Sequence, residues 1–305
     1  MSVFKSNNCF IACEELANKD SFYTGVVTGS IVSAVQNSAF DVQIDRTSLK
    51  QLGSSYYVVN SPLRQPDVNL NFSYYQNYPY LNEGFVNLGN LNDAVTGLFD
   101  IPTLTALSGN EEASRNFYIF TRPGEGALNA FTGFSEGDAL NLSGYQCASV
   151  GNCYLTNYNL SYSVGSLPRV DVGFVGSNMQ YTEVTGTQIP SPAINLESGN
   201  ADQVGELTLS GLREFEQNPV IMNPTDSGSS VTLQNLQVGG QDLSGQYLVQ
   251  SVDLSLEIPR TTSYGLGSNY AYGRKMMLPA IGSLNVSSLA SGWEAGVISG
   301  ILGSE

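Results

Sequence analysis

Apolar and polar residues alternate one for one at many separate places in this chain, a period of two that admits a half-buried β-strand and little else. Phe40, Val42 and Ile44 alternate with Asp41, Gln43 and Asp45; Val68, Leu70 and Phe72 alternate with Asn69, Asn71 and Ser73; Leu160, Tyr162 and Val164 alternate with Ser161 and Ser163. The same spacing holds for Val170, Val172 and Phe174, for Leu207 and Leu209, for Leu254, Leu256 and Ile258, and for Leu284 and Val286. The expected fold is therefore mainly β. Its antiparallel strands turn one face to a core and the other, rich in Asn, Ser, Asp and Gln, to water or a partner. Two segments follow a helical period instead. Leu91, Ala94, Val95, Leu98 and Phe99 form one stripe ahead of Pro102, and Ser291-Gly-Trp-Glu294 reads as a capping box leading into Val297, Ile298, Ile301 and Leu302. Each is expected to be a short helix flanking a sheet.

The alternating stretches are not independent of one another. Val42-Gln-Ile-Asp-Arg-Thr-Ser-Leu-Lys-Gln-Leu-Gly-Ser54 aligns without a gap on Leu256-Glu-Ile-Pro-Arg-Thr-Thr-Ser-Tyr-Gly-Leu-Gly-Ser268, 214 residues later, with six of thirteen positions identical. Leu70-Asn-Phe-Ser73 meets Leu284-Asn-Val-Ser287 at the same offset, and beyond these Val95-Thr-Gly-Leu-Phe99 meets Ile298-Ser-Gly-Ile-Leu302. A third, partial copy lies between them: Pro168 to Asn178 matches Pro259 to Asn269 at five of eleven positions. The repeated motif is carried by Arg46 and Gly53, by Arg169 and Gly176, and by Arg260 and Gly267. The three glycines are expected in turns at positive φ, which glycine reaches without steric cost. Duplication of a β domain accounts for the pattern, and a length of 305 residues suits two domains of roughly 150. The division expected is residues 1–185 and 186–305. The second copy lacks strands after its helix, so either residues 205–250 complete it or it is truncated.

Composition narrows function chiefly by exclusion. There is no histidine, so Ser-His-Asp, Cys-His and His-ligated metal chemistry are ruled out. With 12 basic against 27 acidic residues, a formal charge of −15, the chain is unsuited to gripping nucleic-acid phosphates. No apolar run reaches the ~18 residues of a membrane span. Glu14 and Glu15 interrupt what would be the apolar part of a signal peptide, which leads to the expectation of a soluble chain made in a cytoplasm. Cys9, Cys13, Cys147 and Cys153 have neither zinc-knuckle nor CxxC spacing and are expected to be buried thiols. Sequons at Asn71, Asn141, Asn159 and Asn285 lie in strand-like runs and read as composition. No glycine-rich phosphate cradle follows a strand, since Gly124-Glu-Gly126 puts an acid where phosphate would sit. No catalytic, cofactor-binding or metal-ligating residue is therefore expected.

Taken together, a strand ending in Arg-Thr-Ser, a Leu-Gly-Ser turn, a Pro-led strand of the Val68-Asn-Leu-Asn-Phe-Ser73 type and a short helix resemble the tail tube (major tail) proteins of long-tailed bacteriophages. The paired segments 154–178 look like the strands that follow in those proteins. The resemblance covers about half of the chain's 305 residues. It implies a β-sandwich or partial barrel with a flanking helix. It also implies a virion protein, assembled in the host cytoplasm, whose rings stack into a hollow tube. DNA and tape-measure protein travel through such a tube, and tail-terminator and distal tail proteins are its other implied partners. A lumen of the same sign as DNA would let it pass without specific binding. Two domains per chain suggest three subunits per ring, and six remain the alternative if the second domain is incomplete. Another virion β protein, such as a distal tail, terminator or capsid-decoration subunit, is the second reading. A glycosidase using Glu14, Glu15, Glu111 or Glu112 and a secreted sugar-binding sandwich using Tyr74, Tyr75, Tyr78 and Tyr80 are the remaining ones. For those acids, solvated surface is the plainer expectation.

Overall fold

The computed structural model describes residues 9–14, 26–27, 29–32, 34–44, 46–50, 52–53, 57–62, 67–78, 114–122, 142, 144–194, 206–209, 220–221, 237–238, 241–242, 247–266, 270–271, 273–277 and 279–290. In chain order the strands are Cys9–Glu14 (β1), Val26–Val27 (β2), Gly29–Val32 (β3), Val35–Gln43 (β4), Arg46–Lys50 (β5), Tyr57–Pro62 (β6) and Asp67–Tyr75 (β7). Asn77–Tyr78 (β8), Arg115–Thr121 (β9), Gln146–Ser163 (β10), Arg169–Gly176 (β11), Asn178–Glu183 (β12), Gln188–Pro190 (β13) and Glu206–Thr208 (β14) follow. The last are Val220–Ile221 (β15), Gln237–Val238 (β16), Gln241–Asp242 (β17), Tyr247–Glu257 (β18), Arg260–Ser263 (β19), Gly273–Met276 (β20) and Ile281–Ala290 (β21). The protein is mainly β, as the alternation requires. Both expected helices, at 91–99 and 291–302, lie outside the described residues.

Two sheets share the 18-residue strand β10. Its first half runs between β9 and β12 in a sheet of order β3-β1-β9-β10-β12. Its second half runs between β11 and β18 in a sheet of order β4-β7-β11-β10-β18-β21, antiparallel throughout. The change of partner falls at a register shift between Val150 and Cys153. There Asn152 adopts φ +51°, and its backbone N–H donates to Asn116 Oδ1 at 2.8 Å. Its side chain is bound on both sides by Ile194, whose N–H donates to Oδ1 at 2.9 Å and whose carbonyl accepts from Nδ2 at 3.3 Å. An extra residue of this kind bends a strand and re-aims it, and here it carries β10 from one sheet into the other.

The core lies between the two sheets. Phe117 of the first sheet packs on Phe72 and Phe174 of the second, with ring centroids 5.5 and 4.6 Å away, and Phe72 stacks on Phe174 at 5.7 Å. Ile11, Cys13, Ile119 and Val150 complete one side of this layer, and Leu70, Tyr158, Leu160 and Val172 the other. The far face of the first sheet is covered as well, by a second cluster that joins Phe10, Tyr118 and Phe120 to Leu142, Tyr145, Val184, Ile189 and Leu207. Burial on both faces removes the alternation from β1 and β9 and from the first half of β10. Tyr74 is fully buried in the core, which removes it from the sugar-binding reading of the tyrosine cluster. No disulfide joins the cysteines: Cys13, Cys147 and Cys153 are buried and Cys9 is half-buried.

The 214-residue offset reappears as register. Phe40 opposes Leu70 and Leu254 opposes Leu284; Val42 opposes Val68 and Leu256 opposes Gly282. Beyond these pairs each copy continues into a hairpin, β5–β6 or β19–β20, in which Arg46 opposes Pro62 and Arg260 opposes Met276. The third, middle match does not carry over. Strand β11 pairs with β10 directly, whereas β19, its sequence counterpart, pairs with β20. Strands from both sides of residue 185 share the six-stranded sheet, because β18 lies beside β10.

A Cβ at Gly151, just before the bend, would lie 2.1 Å from the Pro192 carbonyl oxygen. Gly151→Ala should therefore destabilise the fold by about 1–3 kcal/mol, measured as a fall in the midpoint of chemical unfolding. Gly186→Ala, where a Cβ meets nothing within 4 Å, should leave that midpoint unchanged.

Candidate assembly surface

In the six-stranded sheet, directly opposed residues share a face, so rows can be followed across it. Val35, Tyr74, Val170, Leu160, Leu254 and Leu284 form one apolar row spanning all six strands. Its middle members are buried in the core, but the row runs past the core toward both edges. At one edge Phe40 and Val42 of β4 are 46% and 40% exposed; at the other, Leu284 and Val286 of β21 are 50% and 37% exposed. Among the described residues no strand pairs with the outer side of β4 or β21. Neither strand contains Lys, Arg or Pro, the residues that ordinarily blunt an open edge.

The opposite face of this sheet is polar. Asn37, Ser73, Asp171, Asn159, Ser255 and Ser283 make one row, and Tyr75, Arg169, Ser161, Asp253 and Asn285 the next. Ser161 Oγ donates to Asp253 at 2.5 Å, and Ser255 Oγ donates to Asn159 at 2.6 Å. Asp41, Asp171, Asp253 and Glu257 place carboxylates on this face, against which Arg169 stands bound to Asp171 at 2.8 Å. Three of the four sequon asparagines, 71, 159 and 285, belong to it.

The residues of the repeated motif fall in different settings. Arg46 is exposed at the base of β5–β6. Gly53, at the hairpin's turn, has φ +88°, as its turn position requires. Gly176 does not sit at positive φ: it ends β11, and a Cβ there would lie 2.6 Å from Val150 Cγ1, so close packing of strands is what demands glycine. Gly267 lies outside the described residues. Arg260 crosses from its hairpin to the sheet: its Nε donates to the Leu155 carbonyl at 2.7 Å, and its guanidinium sits 5.1 Å from the Tyr154 ring centroid. Burial lowers its pKa to about 10. Arg274, on the paired strand, is buried and reaches Asp67 and Ser177. The second hairpin is thus fastened to its own sheet at two points. At the position corresponding to Arg274 the first hairpin carries Asn60.

Glu14 departs most from the sequence expectation of a solvated surface acid. It is fully buried at the end of β1 and accepts hydrogen bonds from Tyr118 Oη, from Asn116 Nδ2 at 2.5 Å and from Ser191 Oγ at 3.0 Å. Burial raises its pKa, and the three donors oppose the rise. Tyr118 is pushed well above the usual phenol range, first by burial and then by the carboxylate beside it. Because Asn116 also accepts from Asn152, this cluster joins β1, β9, the bend of β10 and the segment at 191–194. The donors are supplied from 102 to 177 residues away, so nothing local to Glu14-Glu15 announces them. Glu15, Glu111, Glu112 and Gly124 to Gly126 lie outside the described residues. Among the described residues no group of His, Cys, Asp and Glu could hold a metal ion, and no helix is long and apolar enough to cross a membrane.

No protein-family model matches this chain, and neither does any curated protein. Among solved structures it is similar to the tube-terminating cap of the anti-feeding prophage. That match has 10% identity over 60% of this chain and 93% of the other, with a TM-score of 0.34. A chain of the anti-feeding prophage baseplate is similar at 9% identity over 61% of this chain and 99% of the other, with a TM-score of 0.32.

A carboxyl whose pKa is raised on folding stabilises the fold most below its unfolded value, and that contribution is lost as pH rises through the folded value. Wild-type stability relative to Glu14→Gln should therefore fall as pH rises above the ordinary glutamate range, measured as paired unfolding midpoints. Tyr118→Phe, which removes one donor from the buried carboxyl, should cost roughly 1–3 kcal/mol.

Proposed function

We propose that this chain is a virion structural protein, a subunit of stacked rings that form the tail tube of a long-tailed phage or a related particle. The observation that carries this reading is the six-stranded sheet, whose two long, partly apolar edge strands have no Lys, Arg or Pro and no partner among the described residues. Strands β4 and β21 run in opposite directions. Placing β21 of one copy beside β4 of the next therefore continues the antiparallel order, the apolar row and the polar row without interruption. Edges of this kind are hazards in a monomer and interfaces in an assembly.

Closure of such a sheet yields a cylinder with the polar, carboxylate-bearing face toward the bore. Three copies contribute 18 strands, which at about 4.8 Å spacing and a tilt of about 40° give a backbone diameter of about 36 Å. Side chains reduce this to a bore of about 25 Å. That is wide enough for duplex DNA, and its sign repels phosphate. Three subunits per ring are favoured over six for this reason and because residues 1–185 and 186–305 read as two halves of a duplication. In this reading the chain has no catalytic role and binds no cofactor. Its partners are further copies of itself, the tape-measure, terminator and distal tail proteins, and DNA in transit.

Electron microscopy of the purified full chain should show tubes of stacked three-fold rings. Six-fold rings with one chain per repeat would remove the trimer. Single rings that never stack would favour a terminator or distal tail subunit, and a monomer at high concentration would remove the tube. Phe40→Asp and Leu284→Asp should each abolish ring formation while leaving a folded monomer, since each puts a charge into a surface that assembly would dry.

A further inference from the structure

The repeat within the sheet measures how far successive strands slip past one another. Ser38, Phe72, Val172, Tyr158 and Leu256 stand in one line across β4, β7, β11, β10 and β18, and Asn37, Ser73, Asp171, Asn159 and Ser255 stand in the next. Strand β18 is the copy of β4, 214 residues on, so Leu256 and Ser255 occupy the positions of Val42 and Asp41. A line that leaves β4 at 38 or 37 therefore reaches its copy at the equivalent of 42 or 41, an advance of four residues over four strands. One residue per strand, with a rise of about 3.3 Å and a strand spacing of about 4.8 Å, corresponds to a tilt of about 35° in a closed sheet, as natural barrels have.

From β18, two further steps lead across β21 to the β4 of a neighbouring copy. At the same advance, the line through Leu254 and Leu284 meets that strand at Val42, and the line through Val252 and Val286 meets it at Phe40. Backbone register alone thus sets against one another the four apolar side chains exposed on the two edge strands. A slip of two residues breaks the match, placing Val42 against Gly282 in one direction and Phe40 against Ser288 in the other. A slip of one turns the apolar side chains of one edge onto the polar face of the other. On the polar face the unslipped register puts Asp41 opposite Asn285 and Gln43 opposite Ser283, so no like charges meet.

The molecule also shows what covers such an edge. Strand β18 has β21, the copy of β7, on one side and β10 on the other; the side of β4 that corresponds to β10's is the open one. There β10 runs antiparallel and sets Tyr158 against Leu256 and Leu160 against Leu254. The counterparts of those leucines are Val42 and Phe40, and β21 offers Leu284 and Val286 at the same spacing and in the same direction. We propose that β21 of one copy joins β4 of the next in a single register, Leu284 opposite Val42 and Val286 opposite Phe40, so that the junction between chains repeats the junction between the two halves of one chain. The inference rests on the stacked-ring reading and adds to it the seam: each copy advances the sheet by six residues over six strands.

Disulfide trapping in the full chain tests the register. In Asp41→Cys/Asn285→Cys each new thiol faces one from the adjacent copy, and mild oxidation of the assembled protein should link chains into covalent dimers and trimers. Asp41→Cys/Ser283→Cys and Asp41→Cys/Ser287→Cys, each slipped by two residues, hold the thiols on a diagonal of about 7 Å between backbones and should link roughly tenfold more slowly. All four sites are exposed, circular dichroism of the reduced variants reports that they remain folded, and wild type, with its own four cysteines, sets the background. Equal or faster linking of a slipped pair overturns the register and leaves the tube. Rings in which no variant links show that another segment covers the edge of β21, which overturns the proposal and leaves the ring. Linking of the 41–285 pair in rings that never stack keeps the register and removes the tube. A chain that stays monomeric at high concentration and links in no variant removes both.

Discussion

The bend in strand β10 is the constraint on which the other elements depend. One continuous strand supplies the middle of two sheets, and it can do so only because Gly151 and Asn152 release it from one set of partners and deliver it to another. The bend is held from the outside by Pro192 against Gly151 and by Asn116 and Ile194 on Asn152. The same Asn116 donates to the buried carboxyl of Glu14. A buried acid is an expensive way to hold a corner. Three donors converge on it, and four segments distant in sequence are brought to one point.

From that bend follows the unequal treatment of the two sheets. The first is covered on both faces, by the inter-sheet core on one side and by the Phe10, Tyr118, Phe120 cluster on the other. Among the described residues the second is covered on one face and chiefly at its centre, so Phe40, Val42, Leu284 and Val286 on its outer strands stay partly exposed. A chain that folded only to be a monomer would gain by trimming or charging those strands. Their retention, with a polar face behind them, is the feature on which the proposed assembly rests.

Much of this was legible in the sequence where a strand has one wet face. Residues 40–44, 68–72, 170–174 and 254–258 alternate because one side of each is polar, and all four are found in the second sheet. The 214-residue repeat predicted a shared arrangement, and it holds down to which residue opposes which. The first half of β10 was not legible: burial on both faces erases alternation from Gln146 to Tyr154, and Gly151-Asn152 looks like a turn. Analogy with the Leu-Gly-Ser turns puts Gly176 at positive φ, but its reason for being glycine is Val150 on a neighbouring strand. Glu14 reads as surface in the sequence because acidity is local and its donors are not.

The double covering of the first sheet sets how the free chain moves. Amide groups open at a free energy that follows local burial. Protection from solvent exchange should then be deepest on β1, β9 and the first half of β10, and decline strand by strand toward β4 and β21. An edge strand that opens more readily can adjust its twist to the neighbour it meets, so among the described strands β4 and β21 are the ones an assembly would set last.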